Sequence, residues 1–371
     1  MKNIFIIALF IVVITLLIFL FRLKDTPIPK IVLSLPGIGS TIDGDYLVVS
    51  DWNLQYISKL KVIDLQTNKL IKTIVLPAKS YLSGFDIYGD TVVWSDYRNE
   101  KRNVSQLLQN GLANGNADIF TFNIRTGETK QVTKNTSSQV NPRIWKNYIV
   151  WQDARKYPSA GYYGKWDIYL YDLNTGKEQC IVSSGGYSIN PQINDNKVVW
   201  QDGRNFKGDE GQRGGGNLPE NNTDIYMYNI RTTKEMAIAT GPLQECNADI
   251  SGDYIVWEDR NNGTINADIF LYDLSTNKKR QITKERHNQA NPKVYGNYVA
   301  WMDERRGGSA SDVFVNGQAP NADIYLLDIT TNKERRITGD EVQLMPQISS
   351  KWLAFELSRQ INPQIQVVKY R

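Results

Sequence analysis

The chain has 371 residues and a formal net charge of +4, with 43 Lys and Arg against 39 Asp and Glu. No run of basic residues is dense enough for a nucleic-acid footprint, so we expect no nucleic-acid partner. Two cysteines, Cys180 and Cys246, are too few for a disulfide framework, and the 20 Tyr, 11 Phe and 9 Trp favour strands.

The first predicted element is an apolar run of 18 residues from Ile4 to Phe21 that contains no charge. As a helix it would be about 27 Å long, which is just enough to cross the core of a bilayer. No small-x-small cleavage site follows it. The sequence therefore predicts a cytoplasmic start and an uncleaved transmembrane signal anchor within residues 1–24, followed by a linker over residues 25–30.

The charges around this run leave the orientation of the anchor open. Lys2 precedes the run, whereas Arg22, Lys24 and Lys30 follow it. That bias favours a cytoplasmic position for the carboxyl side, but large domains are translocated regardless of it. We predict a single-pass cell-membrane protein whose remaining chain is extracellular or periplasmic, and part of this prediction rests on a family resemblance.

Residues 31–371 repeat one unit of about 50 residues. A short apolar run ends in Trp and is followed by x-Asp at five places: Trp94, Trp151, Trp200, Trp257 and Trp301. A variable loop leads to a second apolar run that opens with Asp, as in DIYLYDL from Asp167. A Thr-Gly or Thr-Asn turn, a polar run and a segment introduced by proline complete each unit.

These units predict four short strands each. The second and third strands are apolar on both faces and need a sheet on either side, which a ring of radially stacked sheets provides. The prolines, as in NPRIW and NPQIN, would fit the first residue of the innermost strand. The sequence thus predicts an all-β fold, a β-propeller of seven four-stranded blades, with six as the alternative. The segment Lys30–Ser34 would pair into the last blade and close the ring.

The repeated W-x-D-x-R followed by DIYxYDLxTG and IT resembles the TolB-like β-propeller repeats of exported bacterial and archaeal proteins, from about residue 42 onward. The resemblance implies an exported scaffold that binds other proteins. Some similar propellers are fused to peptidases, and we expect no peptidase domain within these residues. The periplasmic relative carries an additional amino-terminal domain, so its role in a transport assembly is not carried over.

The W-x-D-x-R signature gives two hypotheses for its charged residues. Either the pairs form a ring of ion-binding or sugar-binding groups, or each pair holds its own loop by charge-assisted hydrogen bonds. Because a catalytic group is normally unique and these residues recur, we favour the structural role. The repeated aspartates are Asp96, Asp153, Asp202, Asp259 and Asp303.

Other chemistry has little support in the sequence. The aspartates that open the third strands could bind calcium as a ring of oxygen ligands, but no D-x-D-x-D-G loop is present, so we predict no metal site and no other cofactor. His287 is the only histidine and lies in a polar turn, and no G-x-S-x-G is present, so we assign no catalytic residue. Any two carboxylates could still converge as a glycosidase pair.

The loops between second and third strands vary in length and content, and such loops concentrate binding residues. We predict binding by an aromatic and arginine group on these loops, since both residue types are favoured at binding hot spots. Its members are Tyr157, Tyr162, Tyr163, Trp166, Arg155, Arg204 and Arg305. The alternative is that these loops fold over one another and cap the channel.

The sequence therefore predicts a membrane-anchored, surface-exposed propeller that is a non-catalytic scaffold. Its partner would be a protein or a cell-envelope polysaccharide, bound through the long loops. An extracellular glycan hydrolase or lyase with a site at the mouth of the central channel is the alternative, and a module stabilised by calcium is a third hypothesis.

Overall fold

The computed structural model describes residues 28–51, 59–77, 81–102, 115–157, 165–205, 222–260, 266–306, 322–339, 341–358 and 363–371. The predicted anchor over residues 1–24 and the first part of the linker lie outside these residues. Within the described part of the chain, no helix combines the length and the apolarity needed to cross a membrane.

The chain forms seven four-stranded antiparallel sheets arranged as the blades of a β-propeller. The prediction of seven blades is confirmed, and the alternative of six is excluded. Numbered in chain order, the strands are β1 (Ile31–Pro36); β2 (Ile38–Asp43), β3 (Tyr46–Ser50), β4 (Lys59–Asp64) and β5 (Lys69–Val75) in blade 1; β6 (Leu82–Tyr88), β7 (Thr91–Asp96), β8 (Asp118–Asn123) and β9 (Thr129–Gln131) in blade 2; β10 (Gln139–Trp145), β11 (Tyr148–Asp153), β12 (Asp167–Asp172) and β13 (Lys177–Val182) in blade 3; β14 (Ser188–Asn194), β15 (Lys197–Asp202), β16 (Asp224–Asn229) and β17 (Lys234–Ala239) in blade 4; β18 (Glu245–Ser251), β19 (Tyr254–Asp259), β20 (Asp268–Asp273) and β21 (Lys278–Gln281) in blade 5; β22 (Gln289–Tyr295), β23 (Tyr298–Asp303), β24 (Asp323–Asp328) and β25 (Lys333–Arg336) in blade 6; and β26 (Gln343–Ile348), β27 (Trp352–Leu357) and β28 (Gln364–Lys369) in blade 7.

Burial follows the order of strands within a blade. In blade 3, Val150 and Trp151 on the second strand are both fully buried although they point to opposite faces of the sheet. Each faces a different neighbouring blade: Trp151 packs with Val93 of blade 2, and Val150 packs with Val198 of blade 4. The fourth strands form the outer rim, and those of blades 3, 5 and 6 carry mostly exposed polar residues.

Every innermost strand contains a bulge at the same position, and its residue lies in the left-handed region. Asparagine occupies it in blades 3 to 6, where φ is between 51° and 53°, and glycine in blades 1 and 2. The proline therefore follows a bulge inside the strand, as Pro142 follows Asn141. The prediction that proline begins the strand was wrong, because the bulge already interrupts the ladder at this position and makes proline harmless there.

Blade 7 takes its fourth strand from the start of the propeller. β1 pairs antiparallel with β28, placing Leu35 opposite Ile365 and Ile31 opposite Val368. Leu33 and Leu35 pack onto a buried cluster shared by blades 7 and 1. Two segments that are more than 320 residues apart along the chain thus share one sheet, and this pairing closes the ring.

The blades define two ends of the propeller. We call loop face the end with the connections between second and third strands, where Asp153 lies opposite Asp167. The other end, with the tight turns between first and second and between third and fourth strands, is the hairpin face, where Tyr148 lies opposite Asp172. The two names are used in this sense throughout.

Replacing Leu35 by Asp should destabilise the closed ring, because a carboxylate would enter the apolar cluster between blades 7 and 1. We expect a loss of about 2–4 kcal/mol in the free energy of unfolding, measured by denaturant titration. Ser34→Asp places the same charge at an exposed position of the same strand and should change the value by less than about 0.5 kcal/mol. Equal effects of the two substitutions would contradict the closure.

Candidate functional site

The repeated Trp, Asp and Arg form one compact unit in blades 3, 4 and 6, which we call the regular blades. In blade 3, the indole Nε1 of Trp151 donates to Asp153 Oδ2 at 2.8 Å. Arg155 donates to the same carboxylate from its backbone N (2.9 Å), Nε (2.9 Å) and a terminal nitrogen (2.7 Å). Blades 4 and 6 repeat this pattern at Asp202 and Asp303. The buried carboxylate is thus neutralised and held by charge-assisted bonds.

An aromatic residue of the third strand is part of the same unit. Trp151 stacks on its cross-strand neighbour Tyr169 with ring centroids 6.1 Å apart, and Arg155 covers the ring of Tyr169 at 4.1 Å. Arg155 also donates to Glu178 on the outer strand at 2.6 Å. In blades 3, 4 and 6 the arginine therefore ties three strands of its own blade, by a cation–π contact and two ion pairs. This aromatic residue was not among the residues predicted from the sequence, although it is the third residue of the recurring DIY and DIF pattern.

Blade 5 departs from the pattern, because its arginine comes one residue early in the sequence. Arg260 lies 3.6 Å from Glu258 instead of covering the third-strand ring. Lys279 of the outer strand takes that place: its Nζ lies 4.7 Å from the centroid of Phe270 and 3.5 Å from Asp259 Oδ2. The unit thus keeps a cation between the ring and the carboxylate even where arginine is displaced.

The aspartates that open the third strands lie directly opposite those of the signature, which brings like charges together. In blade 4, burial raises the pKa of Asp224, and Asp202 adds to that rise. Burial would also raise the pKa of Asp202, but hydrogen bonds from Arg204 and Trp200 outweigh it and lower that pKa. Asn205 donates to Asp224 at 2.6 Å, so both acids have neutral or cationic partners.

The described residues contain no group of three or more His, Cys, Asp and Glu side chains that could hold a metal ion. The acids that the sequence suggested for calcium are held by protein groups in the regular blades. Lys156 lies 3.0 Å from Asp167, and Arg336 lies 3.0 Å from Asp323.

The predicted aromatic and arginine group is not assembled as one exposed patch in the described residues. Trp166 is only 7% exposed and packs under the loop face with Tyr97, Val140 and Ala154. Tyr157 is half-buried, with Lys165 beside its ring. Arg155, Arg204 and Arg305 are bound within their own blades. Tyr162 and Tyr163 lie outside the described residues.

A second set of residues, one per blade, surrounds the central channel. The residue two positions after the bulge faces a cavity of about 160 Å³ on every innermost strand. These seven residues, which we call the channel ring, are Thr41, Asp86, Arg143, Gln192, Asp249, Lys293 and Gln347. Unlike the Trp-Asp-Arg unit, this position carries five different residue types in the seven blades.

The acids of the channel ring hold neighbouring blades together. Asp86 accepts from the hydroxyl of Thr41 (2.7 Å) in blade 1 and from the amide of Ile144 (3.0 Å) in blade 3. Asp249 accepts from the amide of Val294 in the next blade at 2.8 Å. Burial raises the pKa of Asp249, whereas Lys293 and Arg143 oppose that rise.

The residues of the channel ring were not predicted from the sequence. The signal lies in the segments NPRIW, NPQIN, NPKVY and MPQIS, where a constant frame surrounds one variable polar residue after proline. That residue is the member of the channel ring in its blade.

Comparisons with known proteins show the fold and no closer relationship. No protein-family model and no curated protein matches this chain. The β-propeller domain of the trilobed protease from Pyrococcus furiosus is similar, with 10% identity, a TM-score of 0.60 and coverage of 92% of this chain and 95% of that chain. That domain is described with an open velcro topology, whereas β1 and β28 pair here.

Two further solved structures are similar with lower TM-scores. Tricorn protease has 14% identity and a TM-score of 0.49, and the match covers 90% of this chain but 31% of that chain. TolB from Acinetobacter baumannii has 13% identity and a TM-score of 0.43, with 90% of this chain and 79% of that chain covered. The seven-bladed fold agrees with the resemblance to TolB-like repeats.

Replacing Asp202 by Asn should destabilise the protein by about 3 kcal/mol, because Arg204 would lose its buried partner. Since the folded-state pKa of Asp202 is below its ordinary value of about 3.9, its contribution is present above about pH 4 and is lost as the pH falls through the folded-state pKa. Urea titrations at several pH values should show the wild type and variant converging in acid. Asp195→Asn, at an exposed turn, is the control and should show no such convergence.

Proposed function

We propose that this chain is a membrane-tethered, non-catalytic scaffold that binds a protein or a cell-envelope polysaccharide through its loop face. The observation that carries the proposal is the contrast between a constant frame and variable connections. The link between second and third strands spans only 260–267 in blade 5 but 97–117 in blade 2 and 203–223 in blade 4. All of these links leave from the same face, where variable loops on a rigid scaffold serve binding.

The repeated charged groups support a scaffold rather than a catalyst. The arginines and aspartates of the Trp-Asp-Arg unit are bound to one another within each regular blade. Three carboxylates of described residues line the channel cavity, and each accepts a backbone amide of the next blade. The bonds are Gly89 N to Asp43 (2.7 Å), Ile144 N to Asp86 (3.0 Å) and Val294 N to Asp249 (2.8 Å).

Met345 supplies a second, local reason to place binding at the loop face. It occupies the bulge position of blade 7, where blades 3 to 6 have asparagine, and it has a φ of 51°. An unbranched apolar side chain gains nothing from this conformation, which favours Gly and Asn. Its side chain is nevertheless 48% exposed, on the half of the inner strand that leads to the loop face. Residues held in such sparsely populated backbone conformations cluster at active sites and ligand-contact sites.

Two variants test the proposal on the full chain in detergent, with isolated cell envelopes separated into protein and polysaccharide fractions as the probe. Replacing residues 206–221 by a short Gly-Ser linker should abolish retention of the chain by one fraction. Met345→Asn should weaken retention while leaving the unfolding temperature equal or higher, because Asn suits the left-handed bulge.

A Gly-Ser insertion in the hairpin-face turn at Thr330 is the control and should leave retention unchanged. Retention that depends on this turn and not on residues 206–221 would contradict a loop-face site. Release of sugar products that disappears in an Asp86→Asn, Asp249→Asn double variant would instead establish the glycan hydrolase or lyase alternative.

A further inference from the structure

One position on the outer strands separates two neighbouring blades from the other five. It is the fourth-strand residue opposite the penultimate residue of the third strand, close to the hairpin face. Five blades carry Thr129, Glu178, Glu235, Lys279 and Glu334 there. In blades 7 and 1 the same position is held by Ile31 and Leu70, which are 46% and 56% exposed.

Exposed apolar residues concentrate around this pair. Among the described residues, six large hydrophobic side chains are exposed, and five belong to β1, β5 or the residues just before β1. We define the rim patch as Ile28, Ile31, Leu70 and Ile71; Val75 lies at the opposite, loop-face end of β5. A soluble rim has no reason to gather its exposed hydrophobic residues on the outer strands of two neighbouring blades.

The turn before β5 contacts β1 across the junction between blades 7 and 1. Asn68, in the turn before β5, donates from its side chain to the carbonyl of Val32 on β1 at 3.4 Å. Leu33 of β1 and Ile63 of blade 1 belong to the same cluster beneath them. The turn that precedes β5 therefore contacts β1 across the junction where the ring closes, and the rim patch borders this junction on both sides.

Cations border the rim patch. Lys30 precedes Ile31, Lys69 precedes Leu70, and Lys369 ends β28 beside β1, and all three are exposed. The nearby acid Asp64 accepts the backbone amides of Gln66 and Thr67, so it is engaged within its own turn. An apolar surface rimmed by lysines suits the interface of a bilayer that contains anionic lipids.

Chain length brings this surface to the membrane if the amino-terminal run is an anchor. The apolar run ends at Phe21, seven residues before Ile28, and seven residues of fully extended chain span at most about 25 Å. Arg22, Lys24 and Asp25 give this short connection a net charge of +1. The hairpin-face edge of blades 7 and 1 is therefore the described part of the propeller that must remain near the bilayer.

We propose that the rim patch lies on the lipid surface, with its apolar side chains at the headgroup boundary and its lysines on anionic headgroups. This inference rests on the proposed membrane tether. It sets the orientation of the propeller relative to the membrane, because Ile31 and Leu70 lie at the hairpin-face end of their strands. The loop face is then turned away from the membrane, toward its partner.

The test uses the full chain, reconstituted into vesicles of phosphatidylcholine with phosphatidylglycerol. Both native cysteines, which are unpaired, are replaced (Cys180→Ser, Cys246→Ala), and an environment-sensitive fluorophore is attached at Leu70→Cys or Ile31→Cys. The control is Lys234→Cys, which carries the same fluorophore at an exposed position on the outer rim of blade 4, on the opposite side of the ring. Fluorescence is then quenched with lipid-attached spin labels.

We expect blue-shifted emission and at least about twofold stronger quenching at Leu70 and Ile31 than at Lys234, with a smaller difference in pure phosphatidylcholine. If the chain floats with vesicles but the three labels respond alike, the rim patch does not touch lipid and the inference fails while the tether stands. If the chain does not float with vesicles, the tether fails as well. Self-association through Leu70 in lipid-free detergent would assign the surface to a second copy and overturn the inference.

Discussion

The second and third strands of each blade are apolar on both faces, and this single property forces the ring. Such a strand loses its burial on one side unless another sheet covers it, so no blade can end the series. Trp151 and Val150 illustrate the requirement, since each is fully buried by a different neighbouring blade. The only arrangement in which every sheet has two neighbours is a closed circle, and β1 completes it by joining β28.

Closing the ring buries charge as well as apolar surface, and the Trp-Asp-Arg unit accommodates that charge locally. Blade 5 shows which feature of the unit is essential. When Arg260 is out of position, Lys279 comes from a different strand to cover Phe270 and approach Asp259. The requirement is thus a cation between a carboxylate and an aromatic face, and the chain meets it with either residue. The carboxylate and the cation of this unit are bound to each other and packed against an aromatic ring, so they have little freedom to bind a ligand.

The blades differ from one another in three features. The connections at the loop face, the channel ring and the rim patch each break the seven-fold equivalence in a different way. The channel ring varies its polar groups while using several of them to join blades. The rim patch replaces polar residues by Ile31 and Leu70 only where the chain enters the propeller. The rim patch thus distinguishes the edge where the ring closes, near the hairpin face. The variable connections distinguish the loop face, at the other end of the propeller.

The sequence by itself determined the architecture, because a propeller repeats a local pattern and each copy reports the same strands independently. The Trp-x-Asp runs, the Thr-Gly turns and the doubly apolar strands predicted a propeller of seven four-stranded blades, with six as the alternative. Tertiary structure decided what lies next to what across blades. The burial of Trp166 and the gathering of Asp86, Arg143 and Asp249 around one channel depend on contacts between residues of different blades. No local pattern encodes such contacts, because they arise only when the ring is closed.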